Sequence, residues 1–382
     1  MVMIVCDAIP FCYGPAAALM SLGHALKRKG FNLVAVGSGT TAELLAEDSS
    51  FELITCDDDV SSRVSLIQAL LQNADAYINV VDPETYSGVS NVSVPKVYID
   101  FLFWMFSPHF AGSEVQADLY LIENYPGAQE CLNRHGHLLR SPVLVPPLIE
   151  MSNGLIQTDL RKLLISLGGL ESRWTRVGVN TNYPFAVIPL VLEAARRIGG
   201  FDRILVTGGR GAVEQLAKLH HDSGVNFQQL PHHEFLRELR TASVLVTHPG
   251  LYTPFEGFAH GVPTLFLPSS NYTQILQLRF YRAAGVAVSA VDWEDMQIFP
   301  ETGPVPADLR EEIGIQRVLE CISIFERTTG AQRMLIDGLI QGLDQALREP
   351  ALLLKVQGQF YRALSWASGP EVAAEAISRL IT

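Results

Sequence analysis

"THPGLYTPFEGFAHGVPTLFLP", residues 247–268, joins the end of one apolar run to the start of the next through a His-Pro-Gly corner, a short amphipathic stretch and a Gly-Val-Pro turn. "SVLVTHPG" reads as a buried strand, Thr253–His260 as a helix and "TLFLP" as the following strand. Such a strand–helix–strand unit predicts two parallel strands with a helix crossing between them. At the corner, His248, Gly250 and Thr253 stand where the strand ends and the helix begins. Backbone N–H groups and a hydroxyl converge there on a place suited to an anion. Glu256 follows Thr253 by one helical turn, on the same face. A carboxylate so placed repels phosphate but accepts paired hydrogen bonds from a diol such as ribose. The Thr-x-x-Glu spacing is equally that of a capping box, and spacing alone supports both readings.

The same rhythm extends in both directions. Upstream run "KLLISLGG", a helix over Ala186–Ile198, "RILVTGG", a helix over Ala212–His221, "NFQQLP" and a helix over Glu234–Ala242. Downstream lie a helix over Gln274–Ala284 and "VAVSA", read as a further strand. The first half alternates likewise: "MVMIVCDA", the helix "GPAAALMSLGHALKRKG", "FNLVAVGSG", "TAELLAED", "FELITC", "SRVSLIQALLQ", "AYINVV" and "VPKVYIDFLF". "RSPVLVPPLIEMSNG", with Pro142, Pro146 and Pro147, breaks the pattern and reads as a linker. The expectation is an α/β chain of two doubly wound halves, residues 1–150 and 151–350, followed by helices over 351–382. In this fold class ligands bind at the carboxyl ends of strands.

Composition narrows the function classes. The chain has 382 residues, 48% hydrophobic and 18% charged, with a formal net charge of −12. A chain of this length exceeds what one hydrophobic core serves, and its acidic balance argues against nucleic-acid polymers and anionic membrane surfaces. Cys6, Cys12, Cys56, Cys131 and Cys321 show neither metal-like nor disulfide-like spacing, as expected in a reducing compartment. Asp7, Pro10 and the Gly14-Pro15 pair interrupt the apolar N-terminus and argue against a signal peptide. No run reaches the ~18 apolar residues of a membrane span. A cytoplasmic protein without stable membrane insertion is expected.

Three strands of the second half end in glycine: "ISLGGLES", "LVTGGRG" and "VTHPGLYT". Gly168, Gly169 and Gly209 thereby offer close backbone approach to a ligand, although βα turns favour glycine in any case. None forms a G-x-G-x-x-G or a G-x-x-x-x-G-K-S/T loop, so neither a dinucleotide cofactor nor ATP hydrolysis is supported. No cofactor is expected. The adjacent pairs His220-His221 and His232-His233 diverge, which is poor geometry for one metal. Asp57–Asp59 reads as a solvated acidic turn.

Together with Gln274 and Gln277, the opening stretch resembles the donor-binding signature of GT-B glycosyltransferases. The groups it resembles are UDP-sugar-dependent and include plant-type glucosyltransferases and the peptidoglycan N-acetylglucosaminyltransferase. His248, Gly250, Thr253, Glu256, Gly261, Pro263 and Pro268 match that signature in identity and spacing, and "LPHHEFL" resembles its uracil-addressing segment through Pro231, His232 and Leu236. The resemblance implies two Rossmann-like domains facing across a cleft, with the last helix packing back toward the first domain. It implies that His248, Gly250 and Thr253 hold a diphosphate, Glu256 the ribose and Gln274 a sugar hydroxyl, with Gln277 also in the nucleotide-sugar site. Gly168, Gly169, Gly209 and the backbone of His232 would complete the nucleotide-sugar site, with no metal required. The implied partners are a UDP-sugar, a small-molecule acceptor and, in a homodimer, a second copy of the chain.

The chain also departs from that signature. Pro249 replaces a glycine, Thr273 an aspartate and Gln277 an asparagine. Pro15 falls where these families carry a general-base histidine, and proline cannot accept a proton. Asp7 and Asp100, near strand ends and able to face the cleft, are the alternative proton acceptors, with Tyr13 to donate or orient. Asp7 as a turn cap and Asp100 as a satisfied polar group under an aromatic loop are the structural alternatives. The missing histidine points to an easily activated acceptor such as a nitrogen heterocycle, and the "GGLES" loop resembles that of enzymes that glycosylate cytosine in nucleoside-antibiotic pathways. Phe101, Phe103, Trp104, Phe106 and Phe110 form a candidate wall for a planar or apolar acceptor. The competing readings are a nucleotide-sugar hydrolase or epimerase and a catalytically silent nucleotide-sugar-binding protein.

Overall fold

A computed structural model of the chain describes residues 2–106, 115–151, 161–299 and 310–381. The chain divides into two compact units, one of Met1–Met151 with Arg362–Thr382 and one of Ser152–Tyr361. Among the described residues no helix is long and apolar enough to cross a membrane.

The first unit holds a seven-stranded parallel sheet: β1 (Met3–Ala8), β2 (Asn32–Gly37), β3 (Phe51–Thr55), β4 (Ala76–Val80), β5 (Lys96–Asp100), β6 (Leu119–Glu123) and β7 (Pro142–Val145). Their spatial order is β3-β2-β1-β4-β5-β6-β7. β4, β5 and β6 are buried along their whole length, as strands covered on both faces must be. The crossings are α1 (Gly14–Arg28), α2 (Gly39–Leu45), α3 (Val60–Leu71), α4 (Pro83–Gly88) and α5 (Ala128–His135). Pro15 lies in the first turn of α1, where its missing N–H costs no intrahelical bond. Asp59 caps α3 by accepting from Ser62 N at 2.8 Å, and Asp82 caps α4 by accepting from Thr85 N at 3.1 Å. One sequence expectation is corrected here: Pro142–Val145, read as linker, is the last strand of the sheet. Its proline is tolerated because it opens an edge strand.

The second unit holds β8 (Lys162–Ser166), β9 (Arg203–Thr207), β10 (Asn226–Phe227), β11 (Val244–Thr247) and β12 (Thr264–Phe266), all parallel, in the order β10-β9-β8-β11-β12. Around it run α6 (Tyr183–Ile198), α7 (Arg210–Leu219), α8 (His232–Arg240), α9 (Tyr252–Ala259), α10 (Tyr272–Ala283), α11 (Arg310–Phe325), α12 (Thr329–Arg348) and α13 (Pro350–Leu364). Leu163 and Ile165 of β8 share a core with Val187 and Val191 of α6 and with Leu335, Leu339 and Leu343 of α12. "VAVSA", expected as a sixth strand, is not one. The buried Gln357 side chain of α13 takes the outer edge of β12 instead: it accepts from Thr264 N at 3.1 Å and donates to Thr264 O at 2.7 Å and Val286 O at 3.2 Å. One amide thus satisfies backbone groups that a neighbouring strand would otherwise occupy.

From Arg362 the chain belongs to the first unit again. The last helix, α14 (Gly369–Ile381), lies on α1, with Arg28–Glu371 and Lys29–Glu375 ion pairs at 2.5 and 2.7 Å. Asn124 donates to Leu364 O at 3.0 Å just ahead of it.

Candidate functional site

In a doubly wound sheet the crevice opens where the strand order reverses, outside the carboxyl ends of the two strands concerned. In the second unit those strands are β8 and β11, paired with Thr247 opposite Ser166. Their tips lead into Gly168-Gly169 and His248–Gly250. Gly168 holds a left-handed backbone with φ of 55°, and its carbonyl accepts from Gly209 N at 2.9 Å. The glycine tips of β8 and β9 are therefore bonded to each other. Because the sheet is parallel, the starts of α8, α9 and α10 open on this same edge. The sequence-expected donor residues are thereby gathered at one edge.

His248 is buried, its ring 5.0 Å from that of Tyr183. Burial pulls its pKa down to about 3, so the imidazole is neutral at physiological pH. Its Nε2 has no hydrogen-bond partner among the described residues. A buried polar atom left so costs about 1–3 kcal/mol and calls for an explanation in function. Gly250 behaves differently from the expectation. Its N–H is spent on His248 O at 2.8 Å, and its carbonyl accepts from Tyr281 OH at 2.5 Å.

Leu251, not Thr253, is the residue that caps α9, and no side chain caps it. Thr253 is already inside the first turn, so the capping-box alternative falls. Glu256 faces elsewhere: its Oε1 lies 2.6 Å from His232 Nε2 at the start of α8, both side chains buried. What presses this glutamate down onto the sheet is its neighbour Gly257. A Cβ there would come within 2.3 Å of Thr264 Oγ1 and 3.0 Å of Leu245 Cδ2, so only glycine lets α9 pack this closely.

Beyond β12, Ser269 bonds Asp292 through both its N–H and its hydroxyl at 2.8 Å, and Trp293 Nε1 donates to Ser269 O at 2.7 Å. This clamp sets the start of α10, which Asn271 caps by accepting from Gln274 N at 3.0 Å. Gln274 turns back on its own loop, its Oε1 accepting from Ser270 N at 2.7 Å. Gln277, also buried, keeps an Oε1 without a partner among the described residues. His232 as the partner of Glu256, Tyr183 against His248, and the Ser269–Asp292 clamp escaped the sequence reading. Each is a contact between distant elements that no local spacing announces.

The first unit has its own reversal, between β1 and β4. Asp7 of β1 stands in register with Asn79 of β4 and is fully buried, 0% exposed. Its Oδ1 accepts from Tyr77 OH at 2.5 Å and Asn79 Nδ2 at 2.9 Å, while Oδ2 has no partner among the described residues. Burial, reinforced by the nearby Asp82 charge, pushes its carboxyl up to about 8. Asp100 is also buried, but both of its oxygens are used, by Leu102 N and Tyr120 OH, each at 2.7 Å. Burial raises it to about 6. Tyr13 is the half-buried N-cap residue of α1.

Arg63, buried and missed by the sequence reading, binds Asp82 at 3.0 Å, Ser38 at 3.0 Å and Asp58 at 3.5 Å. The "CDDDV" turn is thus accounted for in part by this pairing and by the cap on α3. Of the expected aromatic wall, Phe103 is core, 4.9 Å from Phe106 and 5.9 Å from Tyr120. Phe101 is buried, Trp104 and Phe106 are half-buried, and Phe110 lies outside the described residues.

No family model matches the chain, and no curated protein matches it. Solved structures do match in fold. UGT71G1 of Medicago truncatula complexed with UDP-glucose aligns over 100% of this chain and 98% of its own, with a TM-score of 0.58 at 11% identity. CalG4, the calicheamicin glycosyltransferase, aligns over 100% and 98%, with a TM-score of 0.58 at 13% identity. A candidate UDP-N-acetylglucosamine 2-epimerase of Listeria monocytogenes aligns over 99% and 95%, with a TM-score of 0.57 at 14% identity. With its two parallel α/β sheets, the chain has the GT-B fold of these nucleotide-sugar proteins.

Proposed function

We propose that this chain is a glycosyltransferase that moves a sugar from a nucleotide-diphosphate sugar, with UDP as the nucleotide, to a small-molecule acceptor. One observation carries this reading. At the β8–β11 reversal a buried neutral imidazole, its Nε2 unpartnered among the described residues, stands at the corner that opens α9, one helical turn beyond which lies a buried glutamate. The diphosphate lies against the start of α9, toward which the backbone N–H groups of the first turn point; Pro254 has none to give. His248, neutral, donates one hydrogen bond through Nε2 in the matching tautomer. These fixed donors stabilise the charge that develops on the leaving diphosphate. Glu256 takes the ribose through Oε2 while His232 holds Oε1, and the backbone of His232 addresses the base. Gln277 offers its unused Oε1 to the sugar, and Gln274 reaches it on leaving Ser270. Gly168, Gly169 and Gly209 let the backbone come close to the ligand.

For the proton released by the acceptor, Asp7 is preferred to Asp100, because only Asp7 keeps an unbonded oxygen. Tyr13, at the start of α1, is the third candidate. A nitrogen heterocycle suits a site whose expected histidine position holds Pro15.

A nucleotide-sugar epimerase or hydrolase is the second reading, favoured by the equally good fold match to the Listeria monocytogenes protein. Incubating the purified chain with UDP-glucose and UDP-N-acetylglucosamine, with and without small heterocyclic acceptors, separates the two. Release of UDP only when an acceptor is present supports the transferase. Release without acceptor, or a new UDP-sugar isomer, supports the alternative, and binding without any turnover marks a silent binding protein.

A further inference from the structure

We infer that Tyr281 of α10 is the positioning residue of the His248–Gly250 corner: its hydroxyl sets the Gly250–Leu251 peptide so that the Leu251 N–H faces the anion. The inference rests on the transferase reading for what that anion is; the geometry that carries it lies wholly within the second unit. The backbone donors of the corner differ from one residue to the next. Pro249 has no N–H to give. The N–H of Gly250 is spent on His248 O at 2.8 Å, which closes a three-residue turn. Pro249 stands at its centre, and its ring holds φ near the value such a turn needs. Leu251, the N-cap residue of α9, therefore carries the first N–H after His248 that can face a ligand.

Where that N–H points is decided by the carbonyl before it. The described chain has no cis peptide bond, and in a planar trans unit the carbonyl and the following N–H point in opposite directions. Gly250 O accepts from Tyr281 OH at 2.5 Å. Tyr281 is buried, and its ring stacks on Phe266 at 5.0 Å while meeting Phe258 at 6.2 Å and Phe360 at 5.8 Å edge-on. Packed on these sides, the ring presents its hydroxyl in one direction only. The Gly250 carbonyl thus faces the aromatic interior, and the Leu251 N–H faces away from it. Beside the same peptide there is room: a Cβ added to Gly250 would meet no atom of the described residues within 4 Å, its chain neighbours aside. Without the hydroxyl the peptide is free to turn its oxygen outward, where it repels an anion instead of donating to it.

The test uses the full chain, with UDP followed by titration calorimetry and uridine by saturation-transfer NMR. Tyr281→Phe removes the hydroxyl and keeps the ring. UDP affinity should fall about tenfold, the worth of one hydrogen bond to a charged group, while uridine affinity stays within about twofold. Phe266→Leu loosens the same aromatic cluster but keeps the hydroxyl, so UDP and uridine should change there by the same factor. UDP affinity unchanged in Y281F, an equal loss for UDP and uridine in Y281F, or a UDP-selective loss in F266L overturns the inference. Should Y281F fail to fold, the native chain decides, labelled with 13C-carbonyl glycine and 15N-leucine to resolve the Gly250–Leu251 amide. UDP should shift that amide more than uridine does, and equal shifts overturn the inference. A native chain that binds no UDP sinks the transferase reading and this inference together, whereas UDP binding that Y281F leaves unchanged sinks this inference alone.

Discussion

In the proposed site His248 lies beside the diphosphate and Glu256, one helical turn beyond the start of α9, beside the ribose diol. Removing the carboxylate is the sharper perturbation. Glu256→Ala should lower UDP affinity ten- to hundredfold, the size of one or two hydrogen bonds to a charged group, as read by titration calorimetry. His232→Ala acts on stability, because Oε1 of Glu256 loses its 2.6 Å partner while buried. A loss of about 1–3 kcal/mol in urea unfolding is expected. Gly168→Ala meets no atom within 4 Å, so its cost is that of the left-handed backbone, about 1–2 kcal/mol. At this scale the sequence was informative where chemistry is local. Glu256 stood out from its spacing to Thr253, but setting aside the capping box needed the fact that Leu251 begins the helix. The partners of Asp7 lie seventy and more positions away, and no spacing reports them.

Elements in this chain are pinned by a few charged contacts. His24 of α1 sits between Asp48, at 2.9 Å from Nε2, and Glu150, at 3.1 Å from Nδ1. Hydrogen bonds to Asp48 and then Glu150 push its pKa up from the ordinary 6.5 to about 10. A raised pKa means that the folded state holds the proton longer than the unfolded chain. The His24 contribution to stability is therefore complete below pH 6.5 and is lost as pH rises toward 10. Asp48 is held below its ordinary 3.8 despite burial, because His24 and Ser50 donate to it. Its contribution is present above that value and is lost as pH falls below it. Urea midpoints at pH 6, 8 and 10 should decline in the native chain, and the decline should be smaller in His24→Gln. Asp7 also titrates near pH 8, but it does so in both chains and cancels from the difference. Most elements were readable because parallel strands, buried on both faces, stand out as apolar runs. The exceptions are edges. β7 is short, begins with proline and is half-exposed, and "VAVSA" has a strand's composition while a glutamine side chain holds the edge it would need.

Across the whole molecule, a fold shared at 11–14% identity with proteins of matching length is preserved by pattern rather than by particular residues. Two rounds of βα alternation suffice to specify two doubly wound sheets, and each sheet's strand order then specifies where its crevice opens. That is why the β8–β11 corner could be read from one stretch and the β1–β4 corner could not. The β8–β11 corner carries its own signature, whereas the β1–β4 corner replaces the expected histidine by Pro15 and is built from Tyr77, Asn79 and Arg63 of other elements. The central claim is that the second unit holds a uridine diphosphate. Titration calorimetry of the full chain with UDP and with UDP-glucose, repeated on Glu256→Ala, tests it most directly. The account predicts one site per chain, weakened at least tenfold in E256A. Absence of heat with every nucleotide tried, or equal affinity in the variant, would contradict it.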